Sequence, residues 1–315
     1  TGGTLMATFA LAYLLVPTQE IPSGMFNIEG YGRMGLVAAS IIFLAIMVSA
    51  IGTHNRIPYL RKPPGKTRMT LRRIYRELFE TLSNRSFGAL FLAALFGAIA
   101  SGLAAGLGYY LNSFFWEFST MQISYISLSV VLSAVIGFLI SPIASKKLGK
   151  KKGAIIIGMI AFTTAPLPVV LRLLGIMPDN GHPWLFPIVL VTTILDVGLI
   201  ITFQVLMSSM IADLVEDSEM RTRRRSEGVF FAAVTFTRKI VQGVGVVSAT
   251  IVLSIARFPT GVMPGEVPEA SLFTLGALYA PAVFTLWMLM IWCLSSYKID
   301  RATHEENLRA LGRAA

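Results

Sequence analysis

From Ala212 to Lys239 the chain reads ADLVEDSEMRTRRRSEGVFFAAVTFTRK, a charged hinge followed by an apolar run that encloses Arg238 and Lys239. The run stays apolar to Ala256, so these two cations fall near the middle of a stretch long enough to cross a bilayer. A charge at that depth is costly, and by default it marks a functional site, here for solute or ion traffic. Asp196, in the preceding apolar run, is the natural partner. It lies about 18 Å along its span from one end, and Lys239 about 15 Å along its own from the other. In a core about 30 Å thick those depths nearly coincide. Asp196 is therefore expected to pair with Lys239 or Arg238, because one unpaired buried charge would cost several kcal/mol. The pair could work in transport, or it could be a static tie holding two helices in register.

The hinge charges have a different place. Asp213, Glu216, Asp217 and Glu219 close one helix, Arg221 to Arg225 form the turn, and Glu227 opens the next. Asp213 and Arg225 are expected to form salt bridges that exchange as the protein changes conformation, since pairs at a wet edge are worth only about 0–1 kcal/mol. A merely solvated turn is the alternative.

The elements that must position these groups are membrane spans. Of the residues, 54% are hydrophobic and 14% charged, and mean hydropathy is +0.68, whereas soluble domains carry about 25% charged residues. Apolar runs of bilayer length lie near 2–16, 34–53, 86–113, 122–144, 154–174, 184–212, 229–256 and 272–297. The first starts at Thr1 without a signal-peptide n-region and is expected to be a span cut in mid-helix. Of the 27 Lys and Arg residues, 22 fall in 54–86, 145–153, 213–228 and the tail 298–315. The positive-inside bias puts those segments in the cytoplasm, with every span fitting the alternation. The net charge of +10 thus belongs to loops between spans and reads as membrane orientation, not nucleic-acid binding. The single cysteine, Cys293, lies within an apolar run, which excludes an internal disulfide framework and a multi-cysteine metal site.

The segment RIPYLRKPPGKTR is a Pro-broken basic linker. In MTLRRIYRELFETLSN after it, Leu71, Ile74, Tyr75, Leu78, Phe79 and Leu82 recur at helical spacing. That pattern describes a helix on the membrane surface or one packed on the ends of the bundle. The expected organisation is two closing helices of an N-terminal half (1–53), a cytoplasmic linker (54–85), a six-helix C-terminal half (86–297) and a cytoplasmic tail (298–315). In the 86–113 run, Gly97, Ser101 and Ala105 form one small-residue stripe, and Gly102 and Gly106 a GxxxG on a neighbouring face. Such stripes let helix backbones approach closely in lipid. Tyr109, Tyr110 and Asn112 follow at the outer end, either lining a solute path or anchoring the helix at the interface.

The loop SPIASKKLGKKKG resembles the basic turn between the second and third helices of each half in major facilitator transporters, where cationic side chains latch helix ends. The 212–239 segment resembles the tenth-to-eleventh helix signature of the glycoside, pentoside and hexuronide cation symporters, the melibiose permease family. Asp213, Arg225, Glu227 and Lys239 fill its charged positions without a gap. The tail YKIDRATHEENLRALGR and the linker are similar to that family too. The resemblance covers the chain as the C-terminal two-thirds of a member.

It implies an all-α polytopic protein carrying eight transmembrane helices of a twelve-helix major facilitator fold, truncated at its N-terminus. It implies that Lys239 ties the substrate site to the cation site and that Thr235, one turn earlier on the same face, is a sugar-site residue. Gln204 falls where the family has a sugar-stacking tryptophan, and Arg238 is a further difference. The implied activity is Na⁺- or H⁺-coupled symport of a sugar or glycoside by alternating access, with Na⁺ or H⁺ as coupling ion and no other cofactor. The family's cation carboxylates belong to early helices that this chain lacks. The expected partners are a small-molecule solute and the lipid bilayer of a bacterial inner membrane, with no nucleic acid and a monomeric carrier. A lysolipid or other amphiphile is the alternative cargo. A membrane-embedded enzyme is remote, because His54, His182 and His304 all lie in loops or the tail and no HExxH occurs. No metal site is expected.

Overall fold

In hydrocarbon every backbone polar group must find a partner within the chain, which restricts spanning segments to helices or closed barrels. The computed structural model resolves this choice as helices throughout its described residues, which are 13–15, 27–55, 58, 85–222 and 227–297, with side chains at 85–87, 214–222, 227–234, 236–238 and 240–242 outside the description. The helices are α1 (Ile28–His54), α2 (Arg85–Tyr110), α3 (Thr120–Leu148), α4 (Lys150–Thr164), α5 (Leu167–Leu173), α6 (Leu185–Thr222), α7 (Glu227–Ile255) and α8 (Glu269–Ser295). A π-helical turn, Leu111–Phe115, extends α2. Among the described residues, 6 helical stretches are long and apolar enough to cross a membrane, and Gly243–Ile255 within α7 is a shorter apolar stretch. The expected span at 2–16, the surface helix after the linker and the tail lie outside the described residues.

The chain divides into two compact units, Thr1–Leu78 with Ser119–Leu128, and Phe79–Phe118 with Ser129–Ala315. In the first, α1 is exposed along nearly its whole length, with Ile41, Phe43, Leu44 and Ile51 uncovered. Gly30 is its contact point, since a Cβ there would meet the Leu14 carbonyl at 2.5 Å.

The second unit is built from seams of small residues. α2 packs chiefly on α7 and α8, and α4 packs on α6. At the α2–α7 seam a Cβ on Gly245 would stand 2.6 Å from Gly102 Cα and 2.6 Å from the Ile99 carbonyl, and one on Gly106 would stand 2.7 Å from Ala249 Cβ. The GxxxG face of α2 is thus the face that meets α7. Gly97, on the neighbouring stripe, faces Met290 of α8, whose sulfur would stand 2.6 Å from an added Cβ. Gly137 of α3 and Gly198 of α6 let those two helices meet, each facing backbone or β-branched atoms of the other.

Two interruptions set the ends of elements. Gly149, at φ 77°, occupies the left-handed region that favours glycine, and it turns the chain from α3 directly into α4. The run expected as one span over 154–174 is one apolar stretch of crossing length, Lys150–Leu173, interrupted at Ala165 and Pro166 into α4 and α5. Pro166 and Pro168 have no N–H to donate to the carbonyls of Phe162 and Thr164, so the helical ladder stops there.

The α2–α7 contact is backbone against backbone and cannot yield by rotating a side chain. Gly245→Ala is expected to destabilise the purified protein by about 1–3 kcal/mol, read as a lower thermal midpoint in detergent. Gly243→Ala, where an added Cβ meets nothing within 4 Å, is expected to hold that midpoint or raise it, since alanine is favoured over glycine inside a helix by about 0.5–1 kcal/mol.

Candidate functional site

Three groups of polar and aromatic residues stand out on this scaffold. The first is on α7. Thr235 and Lys239 are both exposed and one turn apart, while Gly245 and Ala249 further along the helix are buried against α2. Lys239 sits mid-helix in α7, which spans Glu227–Ile255. The side chain of Arg238 is outside the described residues. Gln204, on α6, is also exposed.

The second group lies in the seam between α4 and α6. Asp196 is 8% exposed, and its Oδ1 accepts a hydrogen bond from Thr164 Oγ1 at 2.5 Å. Thr164 is the last residue of α4, at the break before Pro166. Of the two expected partners of Asp196, Lys239 makes no ion pair with it, and the side chain of Arg238 lies outside the described residues. The physical reason is rotational: α6 turns its Asp196 face to α4, while α7 is held against α2. Counting residues along each span says nothing about which helices face each other.

At the lysine-rich end of the same seam, Lys150 Nζ donates to both carboxylate oxygens of Asp213, at 2.6 and 2.8 Å. Asp213 is 7% exposed, so its described partner is a lysine at the start of α4. Arg225, its expected partner, lies outside the described residues, as does the side chain of Glu227. Lys151 Nζ donates to the Tyr297 carbonyl at 2.5 Å, and the Tyr297 hydroxyl donates to the Met210 carbonyl at 3.3 Å. Two lysines of one basic turn thereby fasten the ends of α6 and α8. Between these polar ends the seam is apolar. Phe203 meets Phe162 edge-on at 5.1 Å, and a Cβ on Gly153 would touch Leu206 at 3.4 Å.

The third group is at the opposite end. Tyr110 stacks on Phe114 at 6.0 Å and meets Phe258 edge-on at 5.2 Å, and Tyr109 meets Tyr110 at 5.6 Å. Both tyrosines are half-buried in this cluster beside the π turn, the kind of helical irregularity often found at functional positions. Arg172 Nη1 donates to the Pro178 carbonyl at 2.7 Å and to Asp179 at 2.8 Å, and Asn180 donates to the Phe115 carbonyl at 3.2 Å. Neither this clasp nor Thr164 was singled out from sequence. Thr164 carried one available signal, the TTAPLP stretch that breaks an otherwise continuous apolar run.

Apolar helices of bilayer length, seams made of glycine, and charges held within or beside them define an integral membrane carrier built from a helical bundle. The chain belongs to the MFS/sugar transport protein family, whose model matches residues 1–301. It is a major facilitator transporter, which works in a lipid bilayer on a small-molecule solute. No curated protein matches the chain.

The Lys150–Asp213 clasp is short, bidentate and shielded on the carboxylate side. Lys150→Ala is expected to cost about 1–3 kcal/mol, below the roughly 3–5 kcal/mol of fully buried pairs because the lysine side chain remains 29% exposed. A double-mutant cycle with Asp213→Asn, followed by thermal unfolding in detergent, is expected to return a coupling energy of about 1–3 kcal/mol.

Proposed function

We propose that the protein is a cation-coupled symporter of a sugar or glycoside, resembling the melibiose permease family, in which Na⁺ or H⁺ and the solute bind together and alternating access carries both across. The observation that carries this reading is the exposure of Thr235 and Lys239 on one face of α7, mid-helix in a membrane protein. A lysine at that depth is tolerated where it lines a polar cavity and is costly against lipid tails. A hydroxyl and an ammonium one turn apart suit a polyhydroxylated solute, because both can hydrogen-bond sugar oxygens and the ammonium supplies three donors. Gln204, exposed on α6, adds an amide that both donates and accepts. In this reading Tyr109 and Tyr110 guard the outer mouth, and the lysine-rich ends face the cytoplasm of a bacterium. Asp213, with Arg225 and Glu227, belongs to the cytoplasmic gate, and the carrier acts as a monomer.

A second reading, a lysolipid or other amphiphile as cargo, draws on the same exposed Gln204, which offers no ring for a sugar to stack on. The two are separated by uptake into liposomes holding the reconstituted carrier, under imposed Na⁺ or pH gradients. The substrates are labelled glucosides, galactosides and disaccharides, with lysophosphatidylcholine alongside. Gradient-dependent accumulation of at least one glycoside is expected. Lys239→Ala is expected to raise its KM by roughly tenfold to a hundredfold, the loss of a charge-assisted hydrogen bond worth about 1.5–3 kcal/mol, and Thr235→Ala by a smaller factor. Uptake of the lysolipid alone would replace the sugar reading.

A further inference from the structure

We propose that Asp196 and Thr164 form a proton-binding site at the break between α4 and α5, distinct from the Thr235 and Lys239 face of α7. As a coupling site it rests on the symport reading above; as a protonation site it stands on its own geometry.

Thr164 Oγ1 lies within hydrogen-bonding distance of three oxygens: Asp196 Oδ1 at 2.5 Å, the Ile160 carbonyl at 2.9 Å and the Ala161 carbonyl at 3.3 Å. A hydroxyl has one hydrogen to give. When Thr164 gives it to Asp196, the carboxylate is charged and the carbonyls are left without it. When Thr164 gives it to the Ile160 carbonyl, its contact with Asp196 needs a hydrogen supplied by the carboxyl itself. The same heavy-atom positions therefore serve both protonation states. In the change between them Asp196 Oδ1 gains a proton from a hydronium, the hydronium leaves as water, and the Thr164 hydroxyl rotates from the carboxyl to the Ile160 carbonyl. Pro166 and Pro168 remove the backbone donors that would otherwise occupy the carbonyls of Phe162 and Thr164. Acceptor oxygens therefore gather at the same turn, as expected where a broken helix handles a proton or ion.

Among the described side chains around the Thr164 turn, Asp196 is the carboxyl; on α7, Lys239 is exposed and the side chain of Arg238 lies outside the described residues. From Gly153 to Leu171, α4 and α5 carry no acidic or basic side chain, and α3 carries none from Ile126 to Ser145. Along α6 no other acidic or basic residue occurs from Leu185 to Ala212. In α8, past Glu269 at its first residue, the ionisable groups are Tyr279 and Cys293, and α2 contributes Arg85 at its first residue and Tyr109 and Tyr110 at its far end. On α4, Lys150 and Lys151 are held by Asp213 and the Tyr297 carbonyl, about 20 Å away along the helix. Arg172 on α5 is held by Asp179 and the Pro178 carbonyl. A metal cation shared by two oxygens sits between them and holds them apart. Here the two oxygens share a hydrogen directly, an arrangement that suits a proton as the ligand.

The test uses the carrier reconstituted in liposomes, with infrared difference spectra between acidic and alkaline buffer in H₂O and D₂O. A deuterium-sensitive carboxylic C=O band is expected, absent in Asp196→Asn, displaced in Thr164→Val, and unchanged when NaCl replaces choline chloride. A band that persists in Asp196→Asn, stays unmoved in Thr164→Val, or vanishes with Na⁺ overturns the proposal. Should Asp196→Asn fail to fold, the Thr164→Val displacement decides alone. Glycoside-driven proton uptake is expected to fall at least tenfold in Asp196→Asn, and undiminished uptake would refute the coupling role. A normal band in a carrier that moves no glycoside would defeat the sugar reading and leave the proton site standing.

Discussion

The second unit depends on how α4 and α6 are pinned together. In lipid the hydrophobic effect does not drive helices into contact, so packing and interhelical hydrogen bonds must hold them. The α4–α6 seam uses both in antiparallel register. Thr164 holds Asp196 at one end, Phe162 meets Phe203 and Gly153 receives Leu206 in between, and Lys150 holds Asp213 at the other end. Polar contacts at the two ends fix the register, because sliding either helix by one turn would break both. Apolar contacts between them exclude water. α8 is keyed into the same seam: Trp287 stacks on Phe162 at 4.7 Å, and Ile291 lies over Gly158, where an added Cβ would stand 2.6 Å away.

The α2–α7 seam solves the same problem with backbone alone. Gly245 against Gly102, and Gly106 against Ala249, set the rotation of α7 as well as its distance from α2. That rotation leaves Thr235 and Lys239 uncovered. The packing of one part of a helix thus decides what another part presents. The two seams also separate two kinds of charge chemistry, a carboxyl enclosed among helices and an ammonium held open.

Much of the fold was legible in the sequence because bilayer length and hydropathy are one-dimensional properties. The runs at 86–113, 122–144, 184–212 and 272–297 each correspond to a long helix, although the helices extend beyond the apolar runs. The small-residue stripes of α2 named two contact faces, and the basic turn at 145–153 named a latch. Partner choice was less legible. Depth along a span follows from counting residues, but the direction a side chain points around the bundle depends on which helices pack together. Asp196 and Lys239 matched in depth and face different neighbours. Asp213 met a related difficulty, since cations crowd that end of the bundle from Lys146 to Lys152 and from Arg221 to Arg225, and charge alone could not choose among them. Thr164 was overlooked because a threonine at a helix end is common in any sequence, and its meaning comes from the aspartate opposite.

If a cation bound at Asp196 is to be felt at Lys239, the displacement has to cross from one seam to the other, and the packing supplies a continuous route. Thr164 is on the turn after Phe162, Phe162 stacks on Trp287, and α8 reaches Gly97 of α2 through Met290. α2 then meets α7 at Gly102 and Gly106. Every step is a close contact between helices or rings, with little slack to absorb a shift, and close-packed interiors transmit strain. Spatial continuity alone does not establish coupling. It marks one path that coupling can take, because α4 packs on α8, α8 on α2 and α2 on α7. A change at Trp287 or Gly97 therefore bears on communication between the charges without touching either one, whereas a change at the Lys150–Asp213 clasp bears first on the register of the α4–α6 pair.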